Sequence, residues 1–595
     1  MKISGIRSPA PGVLVLVAVL AILVVHPARA EQPGDDWVRY GVTPEETRYS
    51  PLDQINATNV SDLGLSWALD VGPGGGNQEA TPLEENGIIY SITNWSEVFA
   101  VDAVTGEELW RWDPEVNREA VRPKICCGVV HRGLALYEDL VIAPIIDGRL
   151  QGIDKQTGKV VWEARVGFPQ EWATITMAPR VAGDKVIVGV SGGDRPMRGY
   201  FDAYDAETGH RAWRFWTVPG NPADGFENDA MRMAAESWGG EWWRYGGGGA
   251  VWDAIAYDPE ESLVYAGTGN AEPWTEVHRG AQGVDNLFTG AIVAVDADTG
   301  EYRWHYQPTP NDNWDYDSVQ QLMLVDLEID GRVRKTLMQA NKNGFYYVLD
   351  RVTGAFISAT PFARITWAAG VDPETGRPIV HPDALYGTEE SVTVSPGPGG
   401  AHNWSPMSWN PATGLVYVPT STESSFTFVA VEEFVPEPGR TTGTVRPAPE
   451  GPERNIEPVG PEPISDGRRT GALTAINPVT GELVWRRPGG GGIGGGTVST
   501  GGNLVFQVVP TGELRVYTAD TGELLEEIDT LLGGGMGPPI TYLVDGRQYV
   551  TLMGGVGGEN GVAPRMLTFA LGSRMAIPEP ESGEVPELAE PAADN

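Results

Sequence analysis

The residues best suited to chemistry form one short run, Asn311-Asp312-Asn313-Trp314-Asp315-Tyr316-Asp317. In an extended backbone residues two apart point to the same side, so the run predicts Asp315 and Asp317 presenting two carboxylates to one site. Two like charges that close require a cation or a shared proton. An acidic turn is the plainer reading, since Asn and Asp dominate turns. A second pair is Cys126-Cys127, the only two cysteines of the chain. Neighbouring Cα atoms sit about 3.8 Å apart, below the roughly 4.4–6.8 Å of ordinary disulfides, so an oxidised pair is a strained, flat ring that suits packing against a planar ligand. Two ordinary buried thiols fit the same residues. A disulfide framework and a Cys-rich zinc site are excluded, and no Cys-x-x-Cys-His occurs for covalent haem. The 7 histidines show no His-x-x-x-His spacing, so a helical zinc-hydrolase site is absent too.

The elements that must position these residues come from a repeat. The pattern Asp/Asn-x-x-Thr-Gly-x-x-x-Trp runs from Asp102 to Trp110, Asp154 to Trp162, Asp205 to Trp213, Asp296 to Trp304 and Asn477 to Trp485. Copies without the Trp begin at Asp350, Asn410 and Thr518. Alternating apolar segments flank each copy, which predicts strand, turn, strand, a hairpin repeated about eight times. Hairpin units with a period of roughly fifty residues point to an all-β, eight-bladed β-propeller. Trp would pack between blades, and Gly would supply a turn conformation closed to other residues. The wide gap from Asp205 to Asp296 leaves room for a functional excursion.

Residues 1–30 have the pattern of an export signal: Lys2 and Arg7, an apolar run from Val13 to Val25, then Ala28-Arg29-Ala30. Cleavage would leave an exported chain without a membrane anchor, with the propeller over 31–576 and an acidic, Pro-rich disordered tail over 577–595. The formal charge of −38 falls to about −41 once Lys2, Arg7 and Arg29 are removed, which argues against nucleic acid or an anionic membrane as partner. Residues 434–466, rich in Pro, Glu, Arg and Gly, read as a surface loop.

Five segments carry a specific resemblance: Ile125-Cys126-Cys127-Gly128-Val129-Val130-His131-Arg132-Gly133, Ser191-Gly192-Gly193-Asp194, Gly247-Gly248-Gly249-Ala250-Val251-Trp252-Asp253, Gly267-Thr268-Gly269-Asn270 and Asn313-Trp314-Asp315-Tyr316-Asp317. In order and spacing they resemble the pyrroloquinoline quinone-dependent alcohol dehydrogenases, the methanol/ethanol dehydrogenase family. The likeness runs from about Asp36 to about Arg574, and it is strongest to the type II quinohaemoprotein enzymes without their C-terminal cytochrome domain. It implies a central funnel with the quinone between a Cys126–Cys127 disulfide and Trp252. Glu79, Arg132, Thr176, Ser191, Gly192, Gly193, Lys342 and Asn403 would hold the cofactor's polar groups. Asp194, Asn270 and Asp315 would bind the metal.

Two departures bear on that metal. Asp194 stands where the family carries Glu, and Asp317 stands where lanthanide-dependent members carry Asp and calcium-dependent members a small or uncharged residue. The resemblance therefore implies a lanthanide ion, with Ca²⁺ as the alternative and a non-enzymatic exported scaffold as the remote one. It implies Asp315 as general base, taking the alcohol's hydroxyl proton while the α-hydrogen leaves as hydride to the quinone C5. The metal would polarise the C5 carbonyl, and Arg132 and Lys342 would stabilise charge on the reduced cofactor. Electrons would pass to a separate soluble cytochrome c in the periplasm, with a homodimer allowed. The glycine run from Gly491 to Gly496 offers little side chain, and Trp274 and Gly554–Gly558 are expected at the entrance. The resulting expectation is a wide pocket and alcohols larger than methanol.

Overall fold

The computed structural model describes residues 1, 34–72, 74–125, 127–192, 194–280, 283–435, 442–444, 456–467, 470–491, 494–557 and 562–579. The expected signal, nearly all of the acidic tail and most of the 434–466 loop lie outside them, as do Cys126 and Gly193. Residues 34 onward belong to one compact unit. No helix among the described residues is long and apolar enough to cross a membrane.

Eight antiparallel four-stranded sheets follow one another along the chain. Blades 1 to 7 span residues 83–112, 135–165, 180–216, 255–306, 323–361, 408–488 and 496–529. Blade 8 takes three strands from 540–571, and its fourth is Leu63–Asp70, paired antiparallel with Arg565–Leu571 from Leu63↔Leu571 to Asp70↔Arg565. The two ends of the propeller thus share one sheet and close the ring, which removes a free edge. A short strand, Tyr49–Ser50, adds to blade 7 in parallel. Nearby, the buried Arg48 guanidinium donates to the carbonyls of Tyr40, Thr497 and Pro539, tying the N-terminal segment to blades 7 and 8.

The repeated motif lies at the turn between the third and fourth strands. Asp102 Oδ1 accepts from the Thr105 N–H at 2.8 Å and from the Thr105 hydroxyl at 2.9 Å, and the same pairing recurs at Asp154–Thr157, Asp205–Thr208, Asp296–Thr299 and Asp350–Thr353. Each turn Gly is left-handed, with φ of +74° at Gly106, +67° at Gly158 and +71° at Gly209. The Trp of one blade covers the Gly of the next: Trp110 on Gly158, Trp162 on Gly209, Trp213 on Gly300, Trp304 on Gly354 and Trp485 on Gly522. Trp67, in the closing strand, covers Gly106 in the same way. Burying an indole contributes roughly 4–6 kcal/mol before ordering costs, so each docked ring adds substantially to the contact between neighbouring blades.

One copy forms the expected hairpin turn at a different place in its blade. Asn410 to Gly414 is the turn between the first and second strands of blade 6, between Ser408–Asn410 and Leu415–Ser421, and no ring covers it. Seven blades carry the motif at the third-to-fourth turn. Blade 8 cannot, because its third and fourth strands come from opposite ends of the chain and no turn joins them.

Because strands alternate in direction, connections from second to third strand and from each blade to the next emerge on one face. The Thr-Gly turns emerge on the other. A test follows from Gly209, where an added Cβ would lie 2.4 Å from the Trp162 ring, and Gly414, at φ +67°, where it would meet nothing. Gly209→Ala should cost roughly 2–5 kcal/mol, from positive φ plus overpacking, and Gly414→Ala only roughly 1–2 kcal/mol. Urea unfolding of both variants checks this; equal losses would show that Trp docking does not set the cost.

Candidate active site

Every described residue singled out for the site comes from that single face. Glu79, Arg132, Thr176, Trp252, Asp315, Asp317 and Asn403 sit on connections between successive blades. Ser191, Gly192, Asp194, Asn270 and Lys342 sit on second-to-third strand connections of blades 3, 4 and 5. All of them, with Cys127, line one cavity of about 340 Å³. Trp274 lines it too, as expected. Gly554 does not: it packs on Met536 and Leu532. The glycine run is also absent from the described lining, since Gly491 backs onto Thr420 and Gly496 onto Pro406. Ile493, Gly492 and Gly558 lie outside the described residues.

One wall is cationic and aromatic. Arg132 is 6 % exposed and pairs with Glu79 at 3.0 Å. Its Nη1 donates to the Thr176 hydroxyl at 3.1 Å, and Thr176 and Ser191 share a hydrogen bond of 2.5 Å. The guanidinium lies 4.9 Å from the Trp252 ring centroid and 5.4 Å from that of Trp404. Burial pushes the Glu79 carboxyl up against the pull of Arg132. Arg132 Nε is buried and has no hydrogen-bond partner among the described residues, a donor suited to an acceptor supplied by a ligand. No cysteine among the described residues is free.

The opposite end is acidic. Lys342 Nζ lies 2.7 Å from Asp317 and 3.1 Å from Asp315. Asp317 Oδ1 accepts the Asn270 N–H at 2.8 Å, so both its oxygens have protein partners. Asp194 accepts the Trp274 indole N–H at 3.2 Å. The loop carrying Asp194 is tied to the cysteine segment by Arg195, which donates to the Ile125 carbonyl at 2.9 Å. Burial first, then the charges of Asp317, Asp194 and Asp312, push the Asp315 carboxyl well above the usual range, against the pull of Lys342. The same two aspartates push the buried Lys342 ammonium up.

The two aspartates do not meet by strand alternation. Asp315 has φ +69°, in the left-handed region that Asp tolerates at a few per cent of sites. Asp312 sets this turn by accepting the N–H groups of Trp314 and Tyr316, each at 3.0 Å. Trp314 and Tyr316 then bury their rings in the core, with the Trp314 indole donating to the Ala384 carbonyl and the Tyr316 hydroxyl to that of Pro396. Asp315 and Asp317 are left facing the cavity. Among the described residues no three His, Cys, Asp or Glu side chains close on one point as a finished metal cage, and the Lys342 ammonium contacts both Asp315 and Asp317.

Several residues escaped the sequence reading. Asn77, Lys124 and Trp404 line the cavity without belonging to a recognisable motif. Glu272, wholly buried behind Asn270, receives a hydrogen bond from the Asn270 amide at 3.2 Å. Its signal was a carboxylate two residues beyond an expected ligand.

Comparison with known proteins accounts for this arrangement. The β-propeller domain model of glucose/ethanol/alcohol dehydrogenases that use pyrroloquinoline quinone matches residues 37–361 and 388–550. The chain is 44% identical over 565 residues to quinohemoprotein alcohol dehydrogenase ADH IIB of Pseudomonas putida, covering 92% of this chain and 79% of that one. It is 38% identical over 565 residues to the 1-butanol dehydrogenase (cytochrome c) of Thauera butanivorans, covering 92% and 79%. Among solved structures, the quinohemoprotein alcohol dehydrogenase of Comamonas testosteroni superposes with TM-score 0.84 at 41% identity over 92% of this chain and 82% of that one. A europium-containing methanol dehydrogenase superposes with TM-score 0.80 at 32% identity over 91% and 99%. A ring of eight blades, a single cavity carrying an arginine-aromatic wall opposite an acidic end, and a family match along nearly all the described propeller lead to one assignment: the chain belongs to the pyrroloquinoline quinone-dependent alcohol dehydrogenases and oxidises alcohols.

Proposed function

We propose that this enzyme works with a lanthanide ion held by Asp194, Asn270, Asp315 and Asp317, and passes its electrons to a separate soluble cytochrome c in the periplasm. The observation that carries the metal is the charge count at the acidic end of the cavity. Asp194, Asp315 and Asp317 face it with Lys342 as the ammonium beside them, three negative charges against one positive, and a hard multivalent ion with oxygen ligands would offset the remaining two; Asp317, the added carboxylate, is what favours a trivalent ion over Ca²⁺. The name of the Thauera relative supports the acceptor, and the pattern of residues 1–30 supports export.

The residues fit the cofactor as well as the metal. Arg132 and Lys342, both buried, would meet its carboxylates and carbonyl oxygens with charge-assisted bonds. Trp252 would cover one face, and a Cys126–Cys127 disulfide the other, a pairing supported by the absence of any free cysteine among the described residues. Held by these residues, the quinone would supply a hydride acceptor for the substrate's α-hydrogen and the metal would supply Lewis-acid assistance. Asp315 receives the hydroxyl proton of the alcohol on a carboxylate oxygen. Without an ion, burial and the neighbouring carboxylates push the Asp315 carboxyl up against the pull of Lys342, and a bound cation would offset that push and keep it ionised as a base. Thr176, Ser191, Glu79 and Asn403, which line the same cavity, would hold the cofactor's polar groups.

A second reading has its own observation. Asp317 already bonds to the Asn270 N–H and Lys342, so it can serve as an anchor of the loop in a calcium enzyme. Dye-linked activity of the apo-protein reconstituted with quinone and either La³⁺ or Ca²⁺ separates the two. We expect activity with La³⁺, and Asp317→Ala should lower that activity by about 10–100-fold, as loss of a metal-supporting group does. Activity with Ca²⁺ alone would refute the lanthanide reading.

Gly128, Gly192, Pro398 and Gly399 give the cavity lining without bulk, which supports alcohols larger than methanol. Rates on methanol, 1-butanol and benzyl alcohol should rise with size in kcat/KM, and a marked preference for methanol would sink the idea.

A further inference from the structure

Behind the acidic end of the cavity lies a carboxyl group that none of these roles uses. Glu272 is 0% exposed and stands on the same blade-4 connection as Asn270. Its own N–H donates to the Gly247 carbonyl at 3.1 Å, so the side chain leaves a fixed backbone. Asn270 Nδ2 donates to Glu272 Oε1 at 3.2 Å, and the Glu272 carboxyl also shares a hydrogen bond with that of Asp194. Asp315 is close enough to act on it through its charge. The guanidinium of this region, Arg279, is directed to the carbonyls of Pro273 and Trp274 and to the side-chain oxygens of Asn286 and Asn311. Glu272 therefore touches two of the four residues proposed to hold the metal and lies near a third.

We infer that Glu272 is a further oxygen ligand of the ion, forming with Asp194 a two-carboxylate wall of its coordination shell. This rests on the metal reading above. Asp194 is shorter than Glu by one methylene, and the adjoining Glu272 carboxyl, on a longer side chain, would supply the missing reach. With Asp315, Asp317 and the Asn270 amide oxygen the shell then offers four carboxylates and one amide, which reach the six to eight oxygen donors that hard ions take when one or more carboxylates bind through both oxygens.

A purely structural role predicts something different. A glutamine at 272 would accept the Asn270 amide bond and donate to Asp194, preserving both contacts, and would relieve a buried charge. Glu272→Gln thus keeps the packing and removes only what an ion would use.

The test uses the full chain loaded with quinone and Eu³⁺ as the probe. Calorimetric titration gives affinity, and luminescence lifetimes in H₂O and D₂O give the number of bound waters. We expect one Eu³⁺ per wild-type chain, and in Glu272→Gln an affinity lower by about 10–100-fold with one more bound water. Wild-type binding with Glu272→Gln unchanged within about twofold in affinity, and unchanged in water number, overturns the role of Glu272 while leaving the metal reading intact. A wild-type chain that binds no Eu³⁺ overturns both. Should Glu272→Gln not fold, Glu272→Asp keeps the charge and shortens the reach; the same loss and extra water are expected, and unchanged values count against the proposal equally.

Discussion

The site is organised around one buried ammonium. Lys342 reaches both Asp315 and Asp317 while only 3% of its surface remains exposed. Two carboxylates about 4 Å apart repel by on the order of 4 kcal/mol at an effective dielectric near 20, so a buried group of three or four acids cannot stay ionised without compensating charge. A single lysine offsets part of that. Burial, together with the charge that remains, pushes Asp315 far up in the protein alone, and the uncompensated charge makes the acidic end of the cavity a place that favours a multivalent cation. The opposing wall, where Arg132 sits between Trp252 and Trp404, has the complementary character: it suits a flat, anionic ligand. In the proposed reading the two ends of one cavity thus divide the work of holding a metal and holding a cofactor.

Propeller geometry makes this division possible. Strand alternation sends the Thr-Gly turns to one face and the connections bearing the site to the other. The indole-on-glycine contacts can therefore be repeated without change around the ring, while loops on the functional face vary freely. Stability and chemistry are separated in space.

This separation also decides what could be read in advance. The turns were legible because their logic is local: Asp accepts from Thr three residues on, Gly takes a left-handed φ, and spacing repeats. Closure by Leu63–Asp70 was not, since pairing the two chain ends leaves no short-range mark, and the copy at Asn410 was miscounted because its sequence does not say which turn of a blade it occupies. For the site, the family resemblance picked out residues that line one cavity, from Glu79 to Asn403. It could not supply Trp404, which belongs to none of the motifs, or Glu272, whose contact with Asp194 joins blades 4 and 3. Asp315 and Asp317 were expected on one side by alternation, and they do face one cavity, but through a left-handed residue set by Asp312. Their convergence depends on that turn and on Lys342 arriving from blade 5.

The most direct test of the account is anomalous diffraction from crystals of the quinone-loaded protein grown with La³⁺. The account predicts one strong peak at the acidic end of the cavity, with oxygens of Asp194, Asn270, Asp315 and Asp317 at about 2.3–2.6 Å, the range hard oxygen-bound ions such as calcium adopt. Lanthanum found only at surface carboxylates, with Lys342 still bridging Asp315 and Asp317, would contradict it.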